Sequence, residues 1–224
     1  MIEPRARRPR LFLVDDHQLL LEGLELALRD RFDIVGTTTA GTGVVESCRE
    51  LKPDVLLLDL SLPDRSGLEI IADLRAELPQ IKIVVVTMHA DRVMADASLQ
   101  TGAHGFLPKD VGIPELTAAI TRVLGGQRVI SDRIPKLITT RSSVADAALG
   151  LAQLTPRQRR IVHLIGEGQR TSDIAAELGC SAATVSFHRM SIRKALGLQS
   201  EFALLRYALL VRLSEQETSK RSCG

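Results

Sequence analysis

Over its first 125 residues the chain alternates short, nearly unbroken apolar runs with segments whose apolar residues recur at helical spacing. The runs Leu11–Val14, Ile34–Gly36, Val55–Asp59, Ile81–Val86 and Gly105–Leu107 predict strands. Several are apolar at almost every position, as parallel strands covered on both faces require. Between them, Gln18–Arg29, Thr42–Leu51, Leu68–Leu78, Asp91–Thr101 and Ile113–Leu124 predict amphipathic helices. Five strand–helix units in succession predict a doubly wound α/β sheet with right-handed crossovers.

Gly125-Gly126 ends this pattern, and from residue 126 to residue 153 periodicity fades, as in a linker. A short helix around Ile134–Ile138 fits the sequence, and SSVADAALG (142–150) reads as a tether. From Leu154 the pattern is wholly helical. Thr155 suits an N-cap, Pro156 the first helical position, and Gln158 completes a capping box. A short helix from Ser172 to Leu178 and a turn at Gly179-Cys180 follow. Ser181 then caps a helix that Gly197 ends. Two helices joined by a tight glycine turn form the helix-turn-helix pattern. A last amphipathic helix is expected from Ser200 to Leu213, leaving 215–224 as a disordered tail.

Composition adds limits. Hydrophobic residues make up 45% and aromatics 3%, with no Trp, so both cores rest on aliphatic side chains. No apolar run approaches the ~18 residues of a membrane span. Residues 1–9 form a basic tail with no apolar stretch behind it, so no secretory signal is expected. Cys48, Cys180 and Cys223 are odd in number and lack metal-ligand spacing, which fits a reducing cytoplasm without disulfides. Residues 151–224 carry 11 Lys and Arg against 6 Asp and Glu, whereas residues 1–150 carry 18 against 21. A basic domain behind an acidic one suggests a nucleic-acid-binding module joined to something else.

Ligands of doubly wound sheets sit beyond the carboxyl ends of the strands. Those ends here are Asp15-Asp16, Asp59, Thr87 and Lys109, and the flavodoxin-like strand order 2-1-3-4-5 makes their four strands neighbours. Polar chain exits account for one or two such residues. They do not account for three carboxylates, a hydroxyl and an ammonium on adjacent strands. Clustered carboxylates need a cation, and hard oxygen donors in a phosphate site favour Mg²⁺. A carboxylate can also attack phosphorus to form an aspartyl phosphate.

The segments VDDH (14–17), DLSLPDRSG (59–67), VVVT (84–87) and GAHGFLPKD (102–110) resemble the receiver domain of bacterial response regulators, across residues 10–125. The resemblance implies that Asp59 is the phosphoacceptor, and that Asp15, Asp16, Asp59 and the Ser61 backbone carbonyl hold Mg²⁺. It implies that Lys109 pairs with the phosphate while Thr87 turns inward and Phe106 rotates behind it. Ser61 and His89 flank the pocket at positions that influence the access of water. His17 is expected to be structural, and Gly67 to serve a turn before the third helix.

LTPRQRRIVHLIGEG (154–168), IAAELGCSAATVSFH (174–188) and IRKALGL (192–198) resemble the LuxR-type helix-turn-helix, and the two together the NarL/FixJ type of response regulator. The expected domains are a receiver at 1–125, a linker at 126–153 and a DNA-binding domain at 154–214. A helical projection sends Val185, His188, Ile192 and Leu196 to the core, and Ser186, Phe187, Met190, Arg193 and Lys194 to the major groove. Thr184 joins that DNA-binding set. Arg157, Arg159, Arg160, Arg170 and Arg189 are candidates for phosphate contacts. Relatives often carry Lys where this chain has Ser186. Phe187 and Met190 either touch thymine methyls or pack against the receiver before phosphorylation. Phe202, Leu205, Leu209 and Leu213 form a stripe that supplies a dimer contact in relatives.

The resemblance implies a cytoplasmic protein, not an enzyme in the ordinary sense. A sensor histidine kinase or a small phosphodonor such as acetyl phosphate would act on it, and promoter DNA and a second copy would be its partners, with no membrane. One alternative keeps the fold but makes DNA binding insensitive to phosphate. Another is a phosphatase working through an aspartyl phosphate, although such enzymes usually carry a second Asp where this chain has Ser61. A third is a protein-binding adaptor.

Overall fold

The computed structural model describes residues 7–135, Ala147 and 149–222, with the backbone only for 217–222. The chain divides into two compact units, with the main break between Ile134 and Pro135. The first contains β1 (Arg10–Val14), α1 (Gln18–Leu28), β2 (Asp33–Thr38), α2 (Val44–Leu51), β3 (Val55–Leu58) and α3 (Gly67–Glu77). There follow β4 (Lys82–Thr87), α4 (Arg92–Thr101), β5 (Gly105–Pro108), α5 (Ile113–Leu124) and β6 (Val129–Ile130). The sheet is parallel, in the order β2-β1-β3-β4-β5-β6. All five predicted strands and their order are present; β6 is an addition.

Alternation along each strand divides the core. Leu11 and Leu13 enter one cluster with Leu21 and Leu28 of α1 and with Leu116, Ile120 and Val123 of α5. Phe12 and Val14, equally buried, face the opposite way. At the start of α3 a Cβ on Gly67 would lie 2.6 Å from the Leu60 Cα, so the glycine is required by close backbone approach after β3.

The extra strand moves the domain boundary. Val129 and Ser131 donate to the His104 and Phe106 carbonyls at 2.9 and 3.0 Å, and the Ser131 hydroxyl donates to Glu115 at 2.7 Å. Ile134 is buried. The expected linker therefore begins with a segment that belongs to the first unit. At the other end Arg7, from the basic tail, bonds Asp54 at 3.0 Å, and Arg8 donates to the Arg29 carbonyl.

The second unit contains α6 (Pro156–Gly166), α7 (Thr171–Glu177), α8 (Ala182–Leu196) and α9 (Glu201–Ser222). Thr155 and Gln158 form the expected capping box, Ser181 accepts from the Thr184 amide, and Gly197 closes α8 at φ 66°. Gly166 lets α6 meet α9: a Cβ there would stand 2.6 Å from the Ala208 carbonyl oxygen. Arg212 donates to the Gly166 carbonyl at 3.0 Å, satisfying an orphan at the end of α6.

Two expectations are corrected. Ala147 and residues 149–151 are helical, and the Tyr207 hydroxyl fixes the Ala147 carbonyl at 2.8 Å, so the expected tether ends in structure. The helix α9 continues to Ser222, so residues 215–222 are helical where a disordered tail was expected. The short helix expected at 134–138 falls mainly outside the described residues. Phe202, Leu205 and Leu209 are buried within the chain, and Leu213 is half-buried. Among the described residues Cys48 and Cys180 are free, and no helix is long and apolar enough to cross a membrane.

Candidate functional site

Strand register assembles the acidic pocket. Val14 of β1 pairs with Leu58 of β3, so Asp15 and Asp59, one residue further on, leave the sheet side by side. The Asp59 amide donates to the Val14 carbonyl at 2.8 Å. Thr87 pairs with Pro108 across β4 and β5, and the Lys109 amide then bonds the Thr87 carbonyl at 2.9 Å. Parallel strands whose carboxyl ends lie side by side thus deliver the chemistry of four segments to one rim.

Asp15 and Asp59 are 4% and 2% exposed, so neither carboxylate can rely on water to carry its charge. Lys109 Nζ lies 2.7 Å from an oxygen of each. Burial works against the ammonium, but its hydrogen bonds and charge contacts with Asp15 and Asp59 outweigh burial and hold its pKa above the ordinary lysine value. Asp16, largely exposed, completes the set. Ligand atoms of Asp15, Asp16, His17 and Asp59 all lie within 4.8 Å of one another. Three carboxylates at that spacing, two of them buried against a cation, fit a hard divalent ion such as Mg²⁺.

Ser61 donates its amide to Asp59 Oδ1 at 3.2 Å, while its Oγ is buried with no hydrogen-bond partner among the described residues. Thr87 is fully buried, and its Oγ1 accepts from the His89 amide at 3.4 Å. Phe106 is also fully buried, on the neighbouring strand. The loop above is held by Asp64, whose two carboxylate oxygens accept from the Gly41 and Thr42 amides at 2.8 Å. Partial burial opposes these bonds, which prevail and keep Asp64 below the usual carboxylate range.

His17, expected to be structural, has its Nδ1 2.7 Å from Asp16 and 3.1 Å from Asp15. The sequence signal was its place directly after the acidic pair. Position alone could not say whether the imidazole turned toward the carboxylates.

In the second unit the buried line of α8 is Val185, Arg189 and Ile192. Arg189 was expected on DNA. It is 8% exposed, its Nε and a terminal nitrogen each lie 3.0 Å from Glu201 Oε2, and Nη1 donates to the Thr171 hydroxyl at 2.7 Å. Standing four residues after Val185 and three before Ile192, it shares their inward face, with its head clamped at the start of α9. Arg189 thus ties α7, α8 and α9 together and is withdrawn from the DNA-contact set. Arg193, half-buried, also reaches Glu201, at 3.3 Å. Glu201 was not singled out in the sequence, because its partners lie 8 and 12 residues away across a turn.

Ser186, Phe187, Met190 and Lys194 are exposed, and Thr184 is half-buried with its hydroxyl 2.9 Å from that of Ser181. His188 is half-buried, as expected of an inward residue. Of the other arginines, Arg160 pairs with Glu177 at 2.5 Å and Arg157 donates to the Leu178 carbonyl at 3.4 Å, bracing the helix-turn-helix.

Known proteins divide the chain in the same way. Residues 11–121 match the response regulator receiver domain, and residues 152–208 match the bacterial regulatory proteins of the luxR family. The transcriptional regulatory protein MctR of Rhizobium johnstonii is 36% identical over 208 residues, covering 89% of this chain and 92% of that protein. The response regulator UvrY of Escherichia coli is 30% identical over 211 residues, covering 93% and 97%. A solved complex of the two-component response regulator RcsB with DNA is similar with a TM-score of 0.54 at 25% identity, covering 92% of this chain and all of that one. The chain belongs to the response regulators that join a receiver to a LuxR-type helix-turn-helix DNA-binding domain.

Proposed function

We propose that Asp59 is the phosphoacceptor of a switch that controls promoter binding by the helix-turn-helix unit. The observation that carries this reading is the buried Asp59 carboxylate with Lys109 Nζ at 2.7 Å and Asp15 on the ammonium's other side. A carboxylate oxygen of Asp59 attacks the phosphorus of a phosphohistidine on a sensor kinase, or of acetyl phosphate. A new O–P bond forms, the P–N or P–O bond to the donor breaks, and its electron pair leaves with the imidazole or the acetate. Lys109 keeps a fixed positive charge beside the oxygen that acquires the phosphoryl group. Thr87 and the unpartnered Ser61 hydroxyl are donors within the same pocket, and Phe106 is buried on the neighbouring strand β5. Held by Asp15, Asp16, Asp59 and the Ser61 carbonyl, Mg²⁺ would neutralise charge on the group in transfer.

Phosphate acts by its differential stabilisation of one of two states, shifting the population toward the form that binds DNA. Two copies then engage a two-fold-related site, with Ser186, Phe187, Met190 and Lys194 toward the groove, Thr184 at its edge and Arg193 held back by Glu201. A kinase donor and a promoter target place the protein in the cytoplasm.

The test measures DNA binding and oligomer mass for wild type and Asp59→Asn, each with Mg²⁺ and acetyl phosphate. A gain in affinity or mass confined to wild type supports the switch. Equal DNA binding by both would leave a regulator insensitive to phosphate.

A further inference from the structure

Ala183, Phe187, Met190 and Lys194 recur at helical spacing along α8, opposite the buried line of Val185, Arg189 and Ile192, and all four are exposed. Phe187 is 62% and Met190 57% exposed, high values for side chains of this size and polarity. They do not extend a core, since the inward positions of the helix are filled. Nor does the helix offer its basic residues freely: one Glu201 carboxylate holds both Arg189 and Arg193, leaving Lys194 as the exposed cation of the stripe.

A groove-facing helix with few free donors reads base edges chiefly by contact. The major groove presents one apolar group suited to that, the thymine 5-methyl. We propose, on the DNA-binding reading above, that Phe187 and Met190 recognise thymine methyl groups on neighbouring base pairs of each half-site. Their separation of three residues puts the two side chains about 5–6 Å apart at their Cβ atoms, within reach of adjacent base pairs. Ser186 and Thr184 flank them with hydroxyls that bond either kind of base. Lys194, at the far end of the stripe, anchors a phosphate. Phe187 has a T-shaped contact with the His188 ring, centroids 6.1 Å apart, which gives it a packed neighbour on the half-buried side.

The proposal predicts a chemical signature that separates it from the general reading. Duplexes are selected from a random pool with the full chain, Mg²⁺ and acetyl phosphate, then remade with uracil replacing thymine one position at a time. Uracil keeps every hydrogen-bonding group and removes only the methyl. For wild type, affinity should fall about fourfold for each contacted methyl, the equivalent of one buried methyl group, at two neighbouring positions per half-site. Phe187→Ala should remove the sensitivity at one of these positions and Met190→Ala at the other, with unchanged thermal stability because both side chains are exposed.

Equal affinity of wild type for thymine and uracil duplexes at every position would overturn the proposal while leaving DNA binding intact. So would alanine variants that weaken thymine and uracil duplexes equally, the result expected if the apolar pair instead packs on protein. Failure to select any duplex would overturn both this proposal and the DNA-binding reading.

Discussion

The pocket beyond β3 and the outer face of α8 each gather a few chemically distinct side chains, but their geometry is fixed in different ways. In the pocket, matched strand ends position each group through backbone hydrogen bonds, and a side chain has only to extend from where the strand stops. On α8, each residue turns to a new direction, and the side-chain partners decide which groups stay free. Arg189 and Arg193 resemble DNA-contact residues by type, yet one carboxylate holds both. The carboxyl ends of the strands commit their functional groups through the main chain, whereas a helix face leaves that to tertiary pairing.

The contrast can be broken most forcefully at Lys109. With the ammonium removed in Lys109→Met, Asp15 and Asp59 remain buried without a counter-charge, and breaking such a pair costs about 3–5 kcal/mol. Denaturant unfolding in chelator should show a loss of that order, and Mg²⁺ should stabilise this variant more than wild type. Equal Mg²⁺ stabilisation of both would show that ammonium and metal do not answer the same carboxylates.

On the helical side, Glu201→Ala removes the anchor of Arg189 and should destabilise the second unit by about 1.5–3 kcal/mol, the range for hydrogen bonds to charged groups. It also frees Arg193 toward DNA. The slope of log affinity against log salt should then steepen by about one unit for the added cation. An unchanged slope would mean that Arg193 does not reach phosphate even when released. For Gly67→Ala, the contact with the Leu60 backbone predicts a loss of about 1–3 kcal/mol by overpacking, together with slower labelling by acetyl phosphate, since Leu60 directly follows Asp59. Labelling at the wild-type rate would separate the packing of α3 from the pocket.

A further effect concerns pH. His104 is held down to about 4, first by burial and then by Lys82, Arg75 and Arg128, and its Nδ1 accepts from the Ile83 amide at 3.2 Å. The unfolded chain takes up this proton near the ordinary value of 6.5. The stabilisation from a neutral His104 is therefore complete above that pH and is lost as pH falls toward 4. Urea midpoints measured between pH 7.5 and 4.5 should fall more steeply for wild type than for His104→Gln. Parallel curves would remove His104 from the acid response.

These two modes of construction explain what the sequence disclosed. Continuous apolar runs announced β1 to β5, and their polar exits announced Asp15, Asp59, Thr87 and Lys109. Thr155, Ser181 and Gly197 announced helix ends because caps are local chemistry. The strand β6 escaped because two residues carry no periodicity and its partner is the edge of β5. The end of α9 escaped because its last turns are polar, with no apolar stripe to mark them. Arg189 was placed outward because residue type suggested exposure. Its position on the line of Val185 and Ile192 was the better guide, but only the Glu201 contact made a buried guanidinium tolerable.

The pairing of β6 with β5 has a practical consequence for anyone wishing to graft the receiver unit onto a different effector. A cut after Gly125, where the sequence pattern fades, would discard Val129 and Ile134 from the core and strip the outer edge of β5 of its partners. An uncovered edge of this kind is a template for association between chains. A fusion joined after Ile134 carries its own edge protection, and the hybrid should remain monomeric where the shorter one aggregates.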